Sequence, residues 1–166
     1  MSTLTTPRDL FLHELGDILY VEQKLVGEVI PKLIEEVQAD ELRKGLEKHL
    51  EQTRGHVTNL EQVFDVFGEA PHAEECIGFE GLKKEHDKLV EESSQDLIDL
   101  VDAGAVARTE HYEIAAYESL IPMARALGEP EAVGMLEDNL KEEKEALREV
   151  ESVAKSLAKE KAKAVA

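Results

Sequence analysis

Tryptophan is absent from this chain, and aromatic residues make up only 4% of it. Strands favour aromatic and β-branched residues. Their shortage, beside an abundance of strong helix formers, points to an all-helical protein. The single cysteine, Cys76, cannot form an internal disulfide, so nothing implies an oxidising compartment. Cations are also scarce: 19 Lys and Arg face 37 Asp and Glu, a formal charge of −18. Phosphate backbones and anionic lipid surfaces are bound by clustered Lys and Arg, so neither nucleic acid nor a membrane is an expected partner. No run of about 18 apolar residues is available to span a bilayer, and no charged-then-apolar targeting signal opens the chain. A soluble cytoplasmic protein is expected. Its 166 residues suit one domain, with a core between about residues 8 and 157 and an Ala/Lys-rich tail behind it.

Four long helices are predicted, with one short helix between the second and third. The first starts at Pro7, capped by Thr6, and runs to about Val37, with a kink or short break near Ile30 because Pro31 lies inside it. The second covers about Glu41 to Phe67 and stops at Gly68. Residues 69–75 form a loop, and a short helix follows from about Phe79 to Glu91. The third long helix covers about Ser94 to Leu127 and stops at Gly128; the fourth runs from about Glu131 to beyond Leu157. The lysines of Lys155–Lys163 suit a fraying C-terminal helix end, whose dipole they complement.

Helices in a bundle bury apolar residues at alternating spacings of three and four. Here each such seam is interrupted once. The first reads Phe11, Leu15, Ile18, then Glu22, then Leu25 and Val29. The second reads Leu46, Leu50, then Thr53, then Val57, Leu60 and Phe64, with His56 beside Thr53. The third reads Ala103, Ala107, then Glu110, then Ile114, Tyr117 and Ile121, with Glu113 flanking it. The fourth reads Leu136, Leu140, then Glu143, then Leu147 and Val150. The four interruptions fall close to the helix midpoints, which share one level in an antiparallel bundle.

An unpaired carboxylate in a dry core costs several kcal/mol. Only His56, and no Lys or Arg, lies on the seams at that level to compensate. Metal ions are the natural source of the missing charge, and carboxylate with imidazole ligation suits iron or manganese. Glu110 and Glu113 therefore read as metal ligands, with Glu22, Glu143 and His56 as their companions. The competing reading is a wet, partly open bundle whose glutamates reach water. Tyr117 serves as core filler or tunes a metal one turn away, and Thr53 reads as a hydroxyl bonding back to the preceding turn. Glu85, in the short helix, either reaches the site or faces water. His13, His49, His86 and His111 read as surface or flanking residues.

The stretches LGDILYVEQKL, KHLEQTRGHVTNLEQVF, CIGFEGLKKE, TEHYEIAAYESL and LKEEKEAL resemble the YciF/YciE family of ferritin-like proteins, from about Leu10 to Val150. That resemblance implies a ferritin-like antiparallel four-helix bundle, a link to bacterial stress responses and a homodimer. More distantly, Glu110-x-x-Glu113 is similar to the helix pair of rubrerythrins, which are di-iron peroxidases. By that resemblance Glu22, Glu110, Glu113 and Glu143 hold two iron ions per chain (or manganese), with His56 as the imidazole. Two departures leave the site short of ligands. Thr53-Arg54-Gly55-His56 stands where the wider superfamily has Glu-x-x-His, and Glu143-Lys144-Glu145-Ala146 lacks a second histidine. Glu85 is the candidate to replace the lost carboxylate. One cysteine cannot supply a rubredoxin-type iron, so redox turnover needs an external electron donor. The readings that follow are a di-metal centre reacting with peroxide or dioxygen, a non-catalytic stress protein whose core metal stiffens, and an iron-sequestering protein.

Overall fold

Thr6 caps the first helix, α1 (Pro7–Lys24), as its sequence predicts. Its Oγ1 accepts the Asp9 N–H at 3.1 Å, while Asp9 Oδ2 accepts the Thr6 N–H at 2.9 Å. The structure is a computed structural model that describes residues 4–164. It is all-helical, and no strand occurs among the described residues. In place of a break at Ile30, the chain widens into a π-helical turn at Leu25–Val29 and continues as α2 (Ile30–Glu36). Pro31 has no N–H to give and its ring crowds the preceding turn, so the wider turn carries the helix through. The turn begins just after Glu22, and such bulges gather at functional sites.

The next helix, α3 (Asp40–Val66), has no side chain of its own to cap it. Asp99 instead reaches across from another helix, its carboxylate accepting the Gln38 and Ala39 N–H groups at 2.9 Å each. At the far end Gly68 takes a positive φ of 71°, and the Glu69 N–H bonds back to Phe64 O at 3.0 Å. Glycine adopts that conformation without strain, which is why the helix stops there.

The connecting loop lies across Gly16 of α1, whose carbonyl accepts the Glu74 N–H at 3.0 Å; a Cβ at Gly16 would sit 2.9 Å from His72 O. The loop leads to α4 (Ile77–Glu92), two residues earlier than predicted because Cys76 Sγ accepts the Phe79 N–H at 3.3 Å and caps it. A 3-10 turn at Gln95–Leu97 delays α5 (Ile98–Ala126) beyond its predicted start at Ser94, and α6 (Pro130–Ala164) closes the fold. No helix among the described residues is long and apolar enough to cross a membrane.

Phe11 and Leu15 of α1, Leu60 and Phe64 of α3, Leu120 of α5 and Leu136 of α6 are at most 1% exposed and share one core. Burying each such side chain contributes about 1.5–3 kcal/mol. The α5–α6 and α3–α6 faces carry the most extensive packing, and α4 lies mainly against α5. This core surrounds a layer of charged residues.

Candidate metal centre

Glu22 on α1, His56 on α3, Glu110 and Glu113 on α5, and Glu143 on α6 are each at most 1% exposed. The structure thus brings five of the six sequence-predicted site residues together. The sixth, Glu85, lies elsewhere. Its side chain is 56% exposed on α4, and Oε2 is 3.2 Å from Arg108 Nε. It is already neutralised at the surface and does not supply the missing carboxylate.

His49 takes the vacancy that the sequence left. The reading as a surface or flanking residue is corrected: its side chain is 7% exposed, with Nε2 3.2 Å from Glu110 Oε1 and 3.7 Å from Glu143 Oε2. The buried stripe of α3 runs Leu42, Leu46, His49, Thr53, His56, Leu60 and Val63, with Leu50 and Val57 only half-buried. Following the greasiest residues rotated the expected seam by one position. The signal was present, because His49, Thr53 and His56 are spaced by four and three, on one face of a helix. Two imidazoles come from α3, none from α6. With four glutamates they make the donor count of a carboxylate-bridged two-metal bundle site.

The donors fall into two groups. One atom each from His49, Glu110, Glu113 and Glu143 lie within 4.8 Å of one another, and so do single atoms from Glu22, His56 and Glu143. Glu143 belongs to both, and its oxygens divide between them. Oε1 is 2.8 Å from His56 Nδ1, while Oε2 faces His49. Many of these atoms lack hydrogen-bond partners: both oxygens of Glu113 and of Glu143, Glu22 Oε2, Glu110 Oε2, His56 Nδ1 and both ring nitrogens of His49. Although His49 Nε2 is near Glu110, the angle makes no hydrogen bond. Orphaned buried polar atoms are rare in proteins and cost about 1–3 kcal/mol each. So many converging on one point fit a site built for cations.

A second layer orients the donors. His56 Nε2 is 2.9 Å from Glu142 Oε2, which holds the ring and leaves Nδ1 facing Glu22 and Glu143. Tyr117 donates its hydroxyl proton to Glu22 Oε1 at 2.5 Å and accepts from Asn139 Nδ2 at 3.1 Å. Asn139 Oδ1 in turn accepts from Asn59 Nδ2 at 2.7 Å. Thr53 donates to His49 O at 2.8 Å, as its position in a helix suggested. Asn139, 1% exposed, is an amide rather than a metal-ligating residue type, so the sequence carries no sign of this role. His86 is also less peripheral than expected, with Nε2 2.8 Å from the buried Asp102 Oδ1 on α5.

Without metal the charges compete. Burial pushes Glu22 up to about 7 despite the nearby His56. Burial, with the charge of Glu143, holds Glu110 and Glu113 well above the carboxylate range. Burial opposes the charge of Glu143 too, but His56 and His49 outweigh it and keep its pKa low. The same contest, against burial, raises His56 to about 11, with Glu22 and Glu143 as the cause. Burial leaves His49 depressed. Burial thus favours the protonated forms of Glu110 and Glu113 while Glu143 and His56 favour their charged forms, so a divalent cation would compete with protons here.

The pattern of the family described as Domain of unknown function (DUF892) matches residues 6–163. Protein YciF of Escherichia coli strain K12 is 30% identical over 143 residues, covering 85% of this chain and 86% of that protein. The solved structure of the E. coli stress protein YciF superposes with a TM-score of 0.86 at 28% identity, over 93% of this chain and 98% of that one. YcfI from Rhodopseudomonas palustris, for which a structural role has been suggested, superposes with a TM-score of 0.86 at 37% identity, over 90% and 95%. A protein of Xanthomonas campestris shares the fold at 19% identity, with a TM-score of 0.71 over 94% and 99%.

Proposed function

This chain belongs to the DUF892 family, and we propose that it is a ferritin-like stress-response protein whose core binds two iron or manganese ions. In this reading α1 with α2, then α3, α5 and α6, form an antiparallel four-helix bundle, with α4 as the additional helix, and the chain assembles as a homodimer. The observation that carries the reading is the division of the Glu143 oxygens between the two donor groups. The stress-protein description of YciF supports the cellular context.

When bound, a pair of redox-active metals supplies Lewis acidity and electrons for reducing peroxide or dioxygen. The residues of this chain prepare that chemistry. Glu22 and His56 would hold one ion, His49, Glu110 and Glu113 the other, and Glu143 would serve both. Tyr117 fixes the orientation of Glu22, and Glu142 fixes that of His56. With Cys76 the only thiol, reducing equivalents come from an external donor. The second reading is a stress protein without turnover. It draws on the buried charge, which needs neutralising whether or not a reaction follows, and on the structural role suggested for YcfI.

Elemental analysis of protein purified without chelator tests the reading. It expects about two iron or manganese ions per chain, and none after anaerobic ferrous loading sinks it. Peroxide turnover then separates the two versions. His49→Ala is expected to lose about one of the two ions, while Glu85→Gln keeps wild-type content. The reverse pattern, measured by the same analysis, would remove His49 from the site.

A further inference from the structure

A cavity of about 390 Å³ opens between α3, α5 and α6, and its floor is made by His49 and Glu110. Leu42, Leu46, Val106, Ala146, Val150 and Val153 line its walls. Water fills about 30 Å³, so the space far exceeds what peroxide or dioxygen needs. It matches small-molecule clefts of about 300–1,000 Å³, which combine apolar walls with a few convergent polar groups. Buried polar atoms without hydrogen-bond partners lie at the floor, Glu110 Oε2 and both nitrogens of His49, and Gln52 and Ser152 add neutral polar groups to the lining. The charges on the rim balance. Lys48 Nζ is engaged with Glu149 Oε1 at 2.5 Å, and Glu41 and Lys44 add one charge of each sign. The carboxyl group on the floor disfavours an anion.

We propose that this cavity binds a small uncharged molecule, mostly apolar, with one hydroxyl or similar end at the floor, on the side of the metal position that His49 and Glu110 would hold. The inference rests on the metal-centre reading for what becomes of the molecule there, as a second reactant. Its binding stands on the cavity alone.

Gly45 offers a clean way to close the cavity. It lines the space from inside α3, and a Cβ there would meet nothing within 4 Å. Gly45→Leu therefore starts from an open Cβ position beside the cavity and replaces a residue that costs a helix about 1 kcal/mol. The probe is 2-naphthol, followed by its own fluorescence, which no tryptophan obscures; 2-naphthoate is the charged control. Saturable 2-naphthol binding is expected, with 2-naphthoate at least about tenfold weaker. Gly45→Leu and Ala146→Phe should each weaken 2-naphthol binding by at least about tenfold, with melting temperature and metal content retained. Equal binding of both probes, no saturation, or unchanged affinity in both variants overturns the inference. A site that vanishes as the protein self-associates shows the mouth to be an interface between copies, and overturns it too. Normal metal content without 2-naphthol binding fails this inference alone; 2-naphthol binding without metal fails the metal-centre reading alone.

Discussion

Glu143→Gln is expected to empty both metal positions, taking the content from about two ions per chain to near zero. Glu143 is the only residue common to the two donor groups, and its two oxygens lie near different imidazoles, Oε1 by His56 and Oε2 by His49. An amide matches it in size but cannot bring negative charge to two cations at once. Glu22→Gln touches only the group around His56, so it should leave about one ion in place. Glutamine is preferred to alanine because it keeps the side-chain volume and leaves no cavity in the core. Elemental analysis beside circular dichroism reads the result. Wild-type content in folded Glu143→Gln would mean that the residue is not shared.

The same chemical change should have opposite effects on stability at two positions in the metal-free protein. Glu113→Gln is expected to raise the melting temperature at pH 8, and Glu143→Gln to lower it. Glu113 is buried beside Glu143, Glu22 and Glu110, with a pKa well above the carboxylate range. The folded state therefore binds more protons than the unfolded chain, and its stability falls as pH rises above the unfolded value of about 4.3. Glutamine removes that penalty. Glu143 has a lowered pKa, so its ionised form stabilises the fold at all pH above that value, and glutamine discards the contribution. Glu22, at about 7, adds a loss of stability between about pH 4.3 and 7. Each kcal/mol corresponds to about 2–4 °C for a domain of this size. Thermal melts of the chelated protein at pH 5.5 and 8 check all three signs. A lower melting temperature for Glu113→Gln at pH 8 would show that its carboxyl group is not under electrostatic strain.

Saturating metal should reverse the first of these effects. Cations that bind only the folded state stabilise it by mass action, about 2.7 kcal/mol at a hundredfold excess over Kd. Wild type should then overtake Glu113→Gln, which has lost a donor. A variant that is stabilised without metal and disadvantaged with it is the signature of a carboxylate kept for binding.

The glutamates on α1, α5 and α6 were legible because they broke apolar patterns whose period is set by helix geometry. Glu22, Glu110 and Glu143 stand where leucine was due, and Gly68 and Gly128, with positive φ, mark helix ends that local sequence announces. A repeat of 3.6 residues still leaves the buried stripe about 100° wide. His49 lies near the middle of the observed stripe, and Leu50, about 100° further round the helix, lies just outside it. Sequence favours the leucine; packing of α3 against α6 turned the histidine inward and left Leu50 half-buried. Glu85 shows the converse. Its place on a short helix after Leu82 allowed either orientation, and Arg108 on α5 drew it to the surface.

Sequence by itself determined the helical class, the ends of most helices, and the level at which charge enters the core, because backbone preference and amphipathic period are local properties. Which residues meet at that level was decided only by tertiary structure. The pairing of Glu143 Oε1 with His56 and Oε2 with His49, the Asn59–Asn139–Tyr117–Glu22 chain, and the cavity ending on Glu110 each join residues from different helices. Their distances depend on the rotation and offset of one helix against another. Those are set by interdigitating side chains across the interface, and no single helix contains that information.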